Sequence, residues 1–165
     1  MERASKFFLR DNRILLEQMP SLRATDYVLW SPRTRRFEYN CVGFVLSEET
    51  RRNWWEAGPD SWMRWPRNVS RESTVAAYRH LFLVRGFQSC ANARLERGWE
   101  KIALFGESDA PDLFSHVALQ RPDGTWVSKL GTLHDIEHTL EGIEGPEGCG
   151  AIVGYMRRRR RRRSR

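Results

Sequence analysis

Two short segments hold the residue types most suited to covalent chemistry. Tyr39-Asn40-Cys41 opens an apolar run, and Ser115-His116-Val117-Ala118 opens an alternating one. A thiol and an imidazole are the two parts a cysteine nucleophile needs, because the base removes the thiol proton and the thiolate then attacks. Ser128 is a candidate third group, able to orient the imidazole. Together Cys41, His116 and Ser128 predict a hydrolase or acyltransferase that acts on an amide or peptide bond. A plainer role for Cys41 competes with this, since a cysteine set among Val and Phe is commonly a small buried hydrophobe.

Two other constellations suggest different functions. His134-Asp135-Ile136-Glu137-His138 fits H-x-x-E-H. On a helix, that spacing puts two imidazoles one turn apart as zinc ligands, with the glutamate as base. No third ligand stands out, so no metal or other cofactor is assigned, and a zinc-dependent hydrolase is an alternative. Trp54, Trp55, Trp62 and Trp65 crowd a turn-rich segment. Their flat faces suit a binding surface, or else a small core beneath a loop. The first role makes the chain a non-catalytic binding module.

These residues need elements to position them. Asp11 to Gln18 predicts a short helix ended by Met19-Pro20, and an irregular or extended stretch leads on to residue 40. Asn40 is a good N-cap for a helix carrying Val42, Phe44, Val45 and Leu46 toward Arg52, with Cys41 in its first turn. There the helix dipole favours thiolate. Ser73 to Arg85 predicts a second helix, with Gly86 placed to end it. Glu100 to Gly106 reads as a buried strand, and Ser115 to Arg121 alternates as a half-buried one.

Pro122-Asp123-Gly124 is a turn, and Thr125 to Leu130 is the returning strand. A three-residue loop pairs Arg121 with Thr125 and puts His116 diagonal to Ser128 on one face. Thr132 is placed to cap a helix from Leu133 to about Leu140, and Gly150 to Met156 reads as the last strand. The fold class is α+β, with N-terminal helices packed on a mainly antiparallel sheet.

The 165 residues suit one domain, residues 1–156. The eight arginines of 157–163 and 165 outweigh the whole net charge of +7, leaving a nearly neutral body. Residues 157–165 therefore predict a solvated, disordered tail, able to make weak, nonspecific contact with nucleic acid or an anionic surface. Three cysteines without C-x-x-C spacing argue against a disulfide framework or a zinc ribbon. With no signal-peptide core and no apolar run long enough for a membrane span, the expected location is cytoplasmic.

The order of a cysteine at a helix start, a histidine on a strand and a polar residue on the next strand resembles the NlpC-type branch of papain-like cysteine peptidases and amidases. That resemblance implies Cys41 as nucleophile, His116 as base and then acid, and Ser128 as orienting group. A second set of motifs is similar to an uncharacterised bacterial family of small domains of unknown function. Its residues are Tyr39-Asn40-Cys41, Trp54-Trp55, Lys101-Ile102-Ala103-Leu104-Phe105, His116-Val117-Ala118-Leu119-Gln120, Gly124-Thr125-Trp126-Val127-Ser128-Lys129-Leu130-Gly131 and Asp135-Ile136-Glu137-His138. This second similarity spans about Pro20 to Arg157 and implies no particular activity.

Overall fold

In a computed structural model, the described residues are 13–17, 19, 20, 22, 27–29, 39–46, 55–58, 64–131 and 134–160. They form one antiparallel sheet with helices on both faces. The strands are β1 (Tyr27–Leu29), β2 (Gln88–Cys90), β3 (Trp99–Gly106), β4 (Phe114–Gln120), β5 (Trp126–Lys129), β6 (Asp135–His138) and β7 (Ala151–Arg159), in the spatial order β1-β6-β5-β4-β3-β7-β2. Thus β3 to β6 form a meander. β7 returns to the free edge of β3, and β1 and β2 close the two sides.

The helices are α1 (residues 13–17), α2 (Cys41–Leu46), α3 (Val75–Val84) and α4 (Leu140–Ile143). The two faces of the sheet have separate cores because side chains alternate along a strand. Ile102, Leu104, Val117, Leu119 and Val127 pack with Cys41 and Phe44 of α2 and with Leu81 and Phe82 of α3. Ala103, Phe105, Ala118, Trp126 and Ile136 pack with Leu15 of α1 and with Leu140 and Ile143 of α4. Burial on both faces explains why Ile102-Ala103-Leu104-Phe105 is uninterruptedly apolar: all four have no exposure.

The helix signals act locally as expected. The Asn40 side chain accepts from the Gly43 amide at 3.0 Å, and it also donates to the Trp55 carbonyl at 2.7 Å. One amide side chain therefore caps α2 and ties it to the following loop. Thr74 caps α3 through the Ala77 amide, and Gly86 follows that helix at φ +89°. At the β4–β5 turn the Arg121 amide donates to the Thr125 carbonyl, and Gln120 pairs with Trp126. This is the register of the three-residue loop, with Gly124 at φ +93°.

Two expectations need correction. The helix expected over 133–140 is not formed by residues 134–139: Asp135–His138 is strand β6, hydrogen-bonded to β5 on one side and β1 on the other, and Thr132 and Leu133 lie outside the described residues. Its two-residue alternation, with Ile136 in a core, outweighs the capping signal, and the helix that follows is capped by Thr139 instead. The arginine tail does not begin at 157, because Arg157, Arg158 and Arg159 pair with Lys101, Glu100 and Trp99 in the sheet.

Those arginines are held by the fold. Arg157 pairs with Glu96 and Arg158 with Glu100, and the guanidiniums of Arg157 and Arg159 each lie 4.3 Å from the Trp99 ring centroid. Of the two roles open to the tryptophan cluster, Trp55 and Trp65 take the core one. Trp54, Trp62 and residues 161–165 lie outside the described residues.

Candidate functional site

Cys41 and His116 occupy opposite faces of the sheet. Cys41, at the start of α2, belongs to the core formed with Val117. His116 precedes Val117 in β4, so it points the other way. Its ring lies 5.7 Å from that of Phe105, in the second core. Burial pushes the Cys41 thiol up to about 11, against weaker opposing backbone hydrogen bonds. Desolvation outweighs the helix start here. Cys41 and His116 are not brought together as a nucleophile and its base.

Ser128 shares the face of His116, as the hairpin register requires, but its partner is His138. The Ser128 hydroxyl lies 2.7 Å from His138 Nε2, and His138 Nδ1 lies 2.8 Å from the Thr139 carbonyl. A carbonyl only accepts, so Nδ1 carries the proton and Ser128 donates to Nε2. Ser128 has no exposure and His138 only 5%. This pair braces β5 against β6.

His134 and His138 do not form a zinc site. In extended chain, residues four apart are about 13 Å apart, against about 6 Å on a helix. Both nitrogens of His138 are also engaged. Glu137 faces away from them and takes an ion pair from Arg121 at 2.8 Å.

His116 instead faces a cavity of about 460 Å³ on the α1/α4 side. Its Nε2 is buried and has no hydrogen-bond partner among the described residues. Burial first, and the charge of nearby His138 second, lower the His116 pKa to about 3, so the ring is neutral. Leu130 and Met19 give the cavity an apolar floor, while Cys149 lines its wall. Glu107, Asp109 and Ser115 stand exposed at its mouth.

The Cys149 wall is a tight loop. The Gly145 and Gly150 amides each donate to the other's carbonyl, and Ser115 Oγ donates to the Cys149 carbonyl at 2.5 Å. Burial raises the Cys149 thiol pKa well above its ordinary value, with Cys41 adding to the effect. Among the described residues, no group of three His, Cys, Asp or Glu is arranged to hold a metal ion.

The family model described as "Domain of unknown function (DUF7689)" matches residues 29–157. The chain belongs to this family. No curated protein and no solved structure matches it. The matched span covers every strand from β3 to β6, both candidate cysteines and His116.

This DUF7689 chain also contains a polar group within the α2/α3 face. Tyr39 Oη donates to both oxygens of Asp135, at 3.1 and 2.8 Å, while Lys129 Nζ lies 5.1 Å from the Tyr39 ring. Lys129 pairs with Asp135 across β5 and β6, and neither is exposed. Burial pulls the Lys129 pKa down to about 8, and Asp135 partly opposes that. The group joins the segment before α2 to the sheet.

The sequence reading missed Cys149, Glu107 and Asp109 as members of a site. The one available signal was the glycine density of Gly145-Pro146-Glu147-Gly148-Cys149-Gly150, which marks a tight loop without naming what it faces. Among the described residues, no helix is long and apolar enough to cross a membrane.

Proposed function

We propose that this DUF7689 domain binds a small polar ligand in the cavity lined by His116. The observation that carries the reading is the His116 ring itself: 4% exposed, neutral, lining the cavity, and with a buried Nε2 that has no hydrogen-bond partner among the described residues. A buried polar atom without a partner costs about 1–3 kcal/mol, which a ligand hydrogen bond would relieve. The volume falls within the range of small-molecule sites, and apolar Leu130 and Met19 would hold the ligand's carbon frame.

The test is a fragment titration followed by the imidazole ¹⁵N signals of His116. Binders should move the Nε2 resonance and be lost in His116→Leu. Binders that leave that resonance unmoved would place the ligand site elsewhere.

Thiol acyl transfer is the second reading, supported by one observation: Cys149, rather than Cys41, shares the cavity with His116. In that chemistry the His116 imidazole takes the Cys149 proton, the thiolate adds to an amide or ester carbonyl, and the amine or alkoxide leaves with a proton from the imidazolium. Electrostatics opposes it at rest, because burial raises the thiol and lowers the imidazole. Incubation with p-nitrophenyl acetate and peptide mass spectrometry decides it. Acetylation of Cys149 that disappears in His116→Leu supports acyl transfer, and an unmodified Cys149 leaves binding alone.

A further inference from the structure

Resting on the cavity reading, we infer that its ligand carries a positive charge, as an ammonium or guanidinium group. Glu107 and Asp109 both stand at the mouth, and neither has an ion-pair partner among the described residues. Among the described residues no lysine or arginine lines the cavity, although the chain as a whole carries a net charge of +7. Basic groups are drawn to carboxylates elsewhere in the molecule: Lys101 and Arg157 take Glu96, Arg158 takes Glu100, and Arg121 takes Glu137. Among the described residues, the mouth is thus an acidic opening left uncompensated on a basic protein.

His116 extends this polarity inward. Held neutral, it offers a dipole and a hydrogen bond to a cation's N–H group without adding a repelling charge. Ser115 adds no charge, and its hydroxyl is already given to the Cys149 carbonyl. An anion entering here would meet two carboxylates and, among the described residues, no compensating cation. An ammonium group would sit between the carboxylates and the imidazole, with a short alkyl chain against Leu130 and Met19.

The experiment uses the full chain and three probes of one shape: n-butylamine, n-butanol and butyrate. Binding is read by saturation-transfer NMR, and its position by the His116 ¹⁵N signals. The paired variant Glu107→Gln/Asp109→Asn changes only exposed side chains, so folding is retained. The expected result is n-butylamine binding that moves the His116 signals, exceeds that of the other probes, and weakens about tenfold in the paired variant. Equal or better binding of butyrate or butanol, with His116 moving, overturns the cationic ligand and leaves the cavity reading standing. Binding of n-butylamine with His116 unmoved overturns both. No binding of n-butylamine to the unmutated chain overturns the cationic ligand.

Discussion

Cys41 shows how surroundings outweigh residue type. Its place in the first turn of α2 favours thiolate, but burial in a core that holds Val, Phe and Trp side chains costs more than the dipole and nearby amides return. With a pKa of about 11, Cys41 should resist iodoacetamide in the folded protein at pH 8 while half-buried Cys90 reacts. Peptide mass spectrometry after timed labelling checks this, and fast labelling at Cys41 would restore the thiolate idea at α2. His116 and His138 provide a second residue-scale prediction. Their folded pKa values of about 3 and 4 lie below the ordinary value near 6.5, so only the unfolded chain takes up protons as pH falls through 6.5. Their contribution to stability should be constant above about pH 7 and fall below 6.5, by up to about 2.7 kcal/mol per pH unit for the two groups. Urea melts from pH 7.5 to 5 measure the slope, and His116→Gln should roughly halve it.

At the scale of elements, the cavity depends on how closely the Gly145–Gly150 loop approaches the end of β3. Gly150 sits at φ +91°, and a Cβ there would overlap the Gly106 carbonyl and press on Ser115 Oγ. Gly150→Ala should therefore cost about 2 kcal/mol or more in a denaturant melt, and it should also shift the His116 signals, because the loop forms one cavity wall. The β4–β5 hairpin was legible in Pro122-Asp123-Gly124, since turn chemistry and alternation agree and together fix which residues share a face. The β6 segment was not. Asp135-Ile136-Glu137-His138 is too short for periodicity to separate strand from helix, and its state is set by partners on both sides.

At the scale of the molecule, β7 joins the arginine-rich end to the centre of the sheet. Arg157 to Arg159 supply three of the β3 pairings, and Arg158 reaches Glu100, which is only 5% exposed. A chain ended after Met156 should lose about 3 kcal/mol or more, or fail to fold, by circular dichroism and thermal melting. A truncated chain as stable as the whole would mean that these arginines add nothing to the sheet. In sequence the run reads as a solvated tail because like charges repel in isolation. In the fold, however, Glu96, Glu100 and the Trp99 ring lie close enough to compensate them.

What the sequence by itself determined was local: the Asn40 cap on α2, the α3 boundaries, the buried β3 run, the hairpin register, and hence that His116 and Ser128 share a face. An α+β domain with a mainly antiparallel sheet follows from those elements. What only the tertiary structure decided was which groups meet. The side of the sheet on which α2 packs separates Cys41 from His116, while the return of the 145–150 loop brings Cys149 to it. No sequence spacing encodes either outcome, because both depend on how elements distant in the chain dock across a sheet whose two faces differ by a single residue of register.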